Sequence, residues 1–241
     1  MSDARTRILG RIRSSLQQNG TMLAAQAAQF PSPHPRGPFV ASDLGLVEQF
    51  DAELSALHAH VHVCDGPGAA LELICELVEQ VQARQVLGWG LEQLPLPDLL
   101  PVLAAMGVAA VDPQVLGADR PERYAGLEPV MVGITGVDVA VAESGTLLLV
   151  SGPQRGRLPS LLPPLHIALL PAERLVRTLP DAFARLQAEF GAELFRDRSN
   201  LTLITGPSRT ADIELSLTLG VHGPRDLHAI IIHSTDPEGV A

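Results

Sequence analysis

Residues 60–89 read HVHVCDGPGAALELICELVEQVQARQVLGW, and the fold turns on how this stretch is parsed. His60–Cys64 is a short strand candidate. A helix starts beyond Gly66-Pro67, where proline suits the first turn, and Leu71, Ile74, Val78 and Val81 then recur at helical spacing. Residues 85–89 read as a strand again. A strand, a helix and a strand in this order form a βαβ unit, whose two strands run parallel.

The same alternation extends in both directions. Residues 43–59 place Leu46, Phe50, Leu54 and Leu57 on one helical face, with Ser42 as the cap. Pro97 opens a further helix through Leu99, Leu103 and Met106, ended by Gly107, and 108–111 follow as a strand. Residues 137–142 and 146–150 are apolar runs joined by Glu143-Ser144-Gly145, three residues that suit a hairpin loop with glycine at positive φ. A strand at 166–170 precedes a helix over 180–190, where Thr178 and Asp181 are spaced as a capping box. Residues 201–205 and 228–233 are expected to close the sheet. The fold class is α/β: an open, mostly parallel sheet with flanking helices and an antiparallel hairpin.

Upstream of this body, Ile8, Ile12 and Leu16 lie at i, i+4, i+8 among Arg5, Arg7, Arg11 and Arg13, and Gly20 is placed to stop the helix. So short a stripe needs something to dock on, either its own domain, a neighbouring subunit or a partner. The segment from Phe30 to Pro38 is a proline-rich connector. The organisation is a helical arm at 1–20, a linker at 21–41 and an α/β domain at 42–241.

Composition removes whole classes of function. With 46% apolar and 18% charged residues, the chain builds a core and is not disordered. Aromatics at 3% argue against a base-stacking platform, and a net charge of −10 argues against a phosphate-tracking nucleic-acid surface. All 17 basic residues are arginines, so Schiff-base chemistry and a Walker-type lysine are absent. Two cysteines, Cys64 and Cys75, are too few for a four-thiolate cluster and read as buried thiols in a reducing compartment. No targeting segment and no apolar run of about 18 residues is seen, so a soluble, cytoplasmic chain without membrane insertion is expected. No metal or cofactor is called for by any motif.

Ligands of open α/β sheets bind on loops beyond the carboxyl ends of strands. Four glycine-bearing segments are read as such loops: Gly133-Ile134-Thr135-Gly136, Glu143-Ser144-Gly145, Gly206 to Asp212, and Val221-His222-Gly223-Pro224. In the third, Gly206 permits close approach, Ser208 and Thr210 offer hydroxyls, and Arg209 offers a guanidinium fork. A helical turn starting there favours a small carboxylate or phosphate; a capped turn pairing Arg209 with Asp212 is the other reading. Glu143 is either a nucleophile or general base raised by burial, or a hairpin residue held by backbone N–H groups. Arg155 and Arg157 flank Gly156 after the hairpin and recruit an anion or stay solvated. His228 and His233 are read as structural, while His222, in its turn beside the anion loop, is kept as a catalytic candidate. These loops, with Gly136, Ser144, Gly145 and Gly223, are expected to meet at one rim.

Four stretches carry a resemblance: the string from Gly133 to Leu147, Ser160-Leu161-Leu162-Pro163-Pro164-Leu165-His166-Ile167, Gly206 to Glu214, and Gly220-Val221-His222-Gly223-Pro224. In order and spacing they resemble the lactate-utilization (LUD) domain family, densely from about 130 to 233 and loosely from 43 to 129. The resemblance implies a fold akin to glucosamine-6-phosphate isomerase, ribose-5-phosphate isomerase and CoA-transferases. It also implies a role in oxidising L-lactate to pyruvate beside iron–sulfur partner proteins. The family partner that carries the same domain has cysteine-rich cluster motifs; this chain lacks them, so the implied role is accessory and non-redox. Glu143-Ser144-Gly145 is also similar to the Glu-Asn-Gly turn of CoA-transferases, which implies acyl or CoA transfer through Glu143 as the alternative.

Overall fold

A computed structural model of the 241-residue chain describes residues 2–29, 42–89, 94, 96–111, 120–127, 129–191, 198, 200–211, 217–219 and 223–234. The chain divides into two units, Met1–Ser42 and Asp43–Ala241. Among its described residues the first holds one helix, α1 (Ser2–Gln29), on which Ile8, Ile12 and Leu16 are exposed. The helix runs through Gly20 and past residue 21, where a linker was expected. A lone glycine costs a helix only about 1 kcal/mol, and the alanines at 24, 25, 27 and 28 are the strongest helix formers. The proline-rich connector lies outside the described residues.

In the second unit, strands are numbered in chain order. Six of them form a wholly parallel sheet: β1 (His60–Cys64), β2 (Gln85–Gly88), β3 (Ala109–Val111), β4 (Val132–Gly136), β7 (Leu165–Pro171) and β12 (Asp226–Ile232). Their order is β1-β12-β7-β4-β2-β3. A second, mixed sheet runs β8 (Leu175–Val176), β5 (Val139–Val141), β6 (Thr146–Ser151), β9 (Asn200–Ile204), with β5 and β6 as the antiparallel hairpin. A two-stranded ladder, β10 (Arg209–Ala211) with β11 (Leu217–Leu219), stands apart.

Two expectations are corrected here. Residues 133–136 are not a loop but the buried interior strand β4, flanked by β2 and β7. Residues 201–205 and 228–233 do not close one sheet: β9 belongs to the second sheet, and β12 lies inside the first, between β1 and β7.

Strict alternation explains the layering. Val132 and Ile134 of β4, with Ile167 and Leu169 of β7, face α3 (Pro67–Gln80) and α4 (Leu99–Ala105) through Ile74, Val78, Leu99 and Leu103. The opposite face, with Ala168, Leu170 and Ile231, packs on α2 (Leu46–Ser55) and on Ala140, Leu147 and Leu149 of the second sheet. Val139, Val141, Leu148 and Val150 point the other way, onto Ala182 and Leu186 of α6 (Leu179–Phe190), the helix after α5 (Arg120–Leu127) in the chain. Residues 139–141 and 147–150 of the hairpin strands are therefore apolar without interruption, because both their faces are covered. Phe50 and Leu54 of α2 are fully buried, each contributing roughly 1.5–3 kcal/mol of transfer free energy. The α6 capping box is present: Thr178 Oγ1 accepts from the Asp181 N–H, and the Asp181 carboxylate accepts from the Thr178 N–H.

Candidate functional site

The carboxyl ends of β2, β4 and β7 open into a cavity of about 190 Å³. Asp138 stands at its base, a lone acid in the apolar run Val137-Asp138-Val139, and is 4% exposed. The Val150 N–H donates to its Oδ2 at 2.7 Å, which ties it to the neighbouring hairpin strand. The tight turn from Gly152 to Arg155, with Gln154 at φ 61°, returns the chain so that Arg155 reaches back over the cavity. Arg155 Nη2 donates to both Asp138 oxygens, at 2.9 and 3.0 Å. Its Cζ lies 3.8 Å from the centroid of the Trp89 ring, a stacked cation–π contact. Trp89 is itself buried, and its Nε1 is the one buried side-chain polar atom without a partner among the described residues. Across the opening, Arg174 Nη1 donates to the Asp138 carbonyl at 2.9 Å and pairs with Glu189 at 3.2 Å. Leu94, Leu169 and Phe190 supply an apolar lining.

Among the described residues expected at a single rim, only Gly136 and Arg155 reach this cavity. Gly206, Ser208 and Gly223 line a second cavity of about 220 Å³ at the amino ends of β7 and β12, together with His166, Thr202 and Thr205. The expected convergence is thus corrected: the residues divide between opposite ends of one parallel sheet. Ser144 connects to the second group, since its Oγ lies 2.8 Å from Thr146 Oγ1, which lies 2.9 Å from Thr205 Oγ1. Gly145 has the predicted left-handed conformation (φ 59°) and packs on α2, where a Cβ would fall 2.7 Å from the Leu54 nitrogen.

Glu143 is engaged rather than free. Its Oε1 accepts from the Leu179 N–H at 2.8 Å, at the first turn of α6, and its own N–H donates to the Arg177 carbonyl. A carboxylate at a helix N-terminus satisfies an orphan donor and complements the helix dipole. Arg209 also has a structural partner, donating to the Leu57 carbonyl just beyond α2. No helical turn begins at 206; residues 209–211 form β10, where Thr210 is registered with Thr218. Asp212 and His222 lie outside the described residues.

Sequence reasoning missed Trp89, Asp138, Arg174 and Glu189. Asp138 had a legible signal, because an acid inside an otherwise apolar run is seldom buried without a partner. It also missed a histidine group on β1 and β12, where His62 Nε2 and His228 Nδ1 are 3.0 Å apart and the His60 ring lies 4.5 Å from that of His228. Among the described residues, no three His, Cys, Asp or Glu side chains are placed to hold a metal ion. Cys64 is buried and Cys75 half-buried, both free, and burial pushes both thiols above their ordinary range.

His166 hydrogen-bonds Thr135, with Nε2 2.9 Å from Oγ1, and full burial pushes the imidazole down to about 3. The folded chain thus keeps it neutral where the unfolded chain, near 6.5, takes up a proton. Its contribution is intact above pH 6.5 and is lost as the pH falls toward 3, at a slope approaching about 1.4 kcal/mol per pH unit. His228, lowered to about 4 by burial and then by His60 and His62, acts in the same direction. Urea unfolding at pH 7, 6 and 5 is expected to show falling stability, and a flatter profile in His166→Gln; identical profiles would contradict the assignment.

A profile of the LUD domain matches residues 47–232. "Lactate utilization protein C" of Halalkalibacterium halodurans is 35% identical over 153 residues, 64% of this chain and 64% of that protein. Proteins of the same name from Macrococcus caseolyticus and Shouchella clausii are 41% and 43% identical over 42% of this chain and 43% of their own length. The matched region is therefore less than two thirds of each of these relatives. The crystal structure of a DUF162 family protein from Deinococcus radiodurans superposes with a TM-score of 0.54 at 26% identity, covering 78% of this chain and 96% of that one. No described helix is long and apolar enough to cross a membrane. Matched across most of its α/β unit, the chain belongs to the LUD domain family.

Proposed function

We propose that this protein serves L-lactate utilization as an accessory component without a redox centre of its own, binding a small carboxylate in the carboxyl-end cavity and acting beside iron–sulfur partner proteins. The names of its relatives support the pathway, and two cysteines in the whole chain support a non-redox role. The observation that carries the binding reading is Arg155. It is a largely buried guanidinium, 20% exposed, fixed by Asp138 and Trp89 at the strand ends where α/β sheets take ligands. The cavity has the volume of roughly six liquid waters, which suits a small acid.

The test is genetic. A strain lacking the gene is expected not to grow on L-lactate as sole carbon source and to recover with the wild-type gene but not with Arg155→Gln. The tagged protein is expected to co-purify with iron–sulfur proteins. Undiminished growth of the deletion strain would end the proposal.

A further inference from the structure

We infer that Glu189 is the exchangeable counter-ion of the carboxyl-end cavity: an incoming carboxylate takes its place on Arg174, so Glu189 sets the affinity of the site. This rests on the anion-site reading above and names how that site is regulated. Among the described residues, the charged side chains lining the cavity are Asp138, Arg155, Arg174 and Glu189, so its formal charge is zero as it stands. Both arginines are anchored on one residue. Arg155 donates to the Asp138 carboxylate and Arg174 to the Asp138 carbonyl, each at 2.9 Å.

The two acids are held very differently. Asp138 is buried, and its carboxylate accepts from the Val150 N–H as well as from Arg155. Glu189 stands near the end of α6 with its side chain 37% exposed, and its contacts with Arg174 are 3.2, 3.4 and 3.4 Å long. Charge-assisted N–H···O bonds are ordinarily about 2.7–2.9 Å, and an ion pair this open to water contributes little. Glu189 therefore turns into solvent at small cost, whereas Asp138 cannot leave without stranding Arg155. Arg174 stays at the opening when Glu189 departs, because it remains bonded to the Asp138 carbonyl.

The charge balance gives the exchange its direction. A monoanion entering beside Glu189 leaves the cavity with one negative charge in excess, and an uncompensated charge away from water is costly. With Glu189 released, the same monoanion restores neutrality. Glu189 thus acts as a tethered competitor, a carboxylate already seated on one of the two guanidinium groups that the ligand needs.

The experiment is titration calorimetry on the full chain at low ionic strength, with L-lactate, pyruvate and acetate as probes and each variant's fold checked by its melting temperature. Glu189→Gln, which keeps the shape and removes the charge, is expected to bind the acids about three- to fivefold more tightly than wild type. Arg174→Gln is expected to bind them about tenfold more weakly and to erase the gain from Glu189→Gln in the double variant. Unchanged or weaker binding in Glu189→Gln, with wild-type binding that Arg155→Gln abolishes, would overturn the counter-ion role while leaving the anion site in place. A gain of the same size in the Arg174→Gln background would show that Glu189 acts by its charge at a distance, and would overturn the exchange on Arg174. Failure of every acid to bind any form, or binding indifferent to Arg155→Gln, would remove the site itself and the exchange with it.

Discussion

Gly133→Ala is expected to lower the melting temperature by roughly 6–12 °C, corresponding to about 3 kcal/mol for a chain of this size. Gly133 lies in β4, and its α-carbon faces the loop that carries Pro159 and Ser160. A Cβ there would overlap the Pro159 carbonyl oxygen and lie 2.8 Å from its carbon. The clash is with backbone, so no rotamer change relieves it. The strand cannot retreat either, because β4 is bonded to β2 on one side and β7 on the other. Either the 158–160 segment lifts off the sheet or β4 shifts its register, and both disturb the buried pair Thr135 and His166. Thermal unfolding followed by circular dichroism checks this; a loss under about 2 °C, less than 1 kcal/mol, would show that the loop yields freely.

Asp138→Ala carries the other large effect, a loss of about 3 kcal/mol. The substitution removes the acceptor of the Val150 N–H and leaves the Arg155 guanidinium, 20% exposed, without its counter-charge. Truncating one partner of a buried pair costs more than the pair is worth, because the survivor remains desolvated. Arg155 escapes that penalty only by swinging into solvent, which empties the cavity of its stacked cation. Stability and ligand affinity are therefore expected to fall together. A double-mutant cycle with Arg155→Ala, measured by urea unfolding, is expected to give a coupling of about 1 kcal/mol or more. Additive losses would mean that Asp138 acts only through Val150.

The elements that local chemistry specifies were legible in the sequence. Proline at the first turn of α3, the Thr178–Asp181 box before α6 and glycine at the left-handed position between β5 and β6 all lie where spacing put them. β4 was hidden because two glycines and a threonine in five residues have the texture of a loop. Its glycine at 133 answers to a neighbouring backbone and not to a turn, a requirement written at residues 158–160, far along the chain. The site was half legible for a similar reason. Arg155 and Gly136 stood out by type, but which end of the sheet a loop reaches depends on the order of parallel strands. Trp89, Asp138 and Arg174 come from three separate connections and meet only once β2, β4 and β7 lie side by side. The segment at 206 carried anion-binding residue types, yet its guanidinium is committed to the carbonyl beyond α2.

The place of β12 between β1 and β7 has a bearing on how the protein is made. β1 joins its sheet through a strand that the ribosome delivers long afterwards; His62 and His228 are 166 positions apart. At translation rates of about 5–20 residues per second, β1 waits on the order of 10–30 s for this partner, and the facing edge of β7 roughly 3–10 s. A stalled transcript ending before residue 226 would release a polypeptide with those edges still open, a natural substrate for chaperones and for self-association.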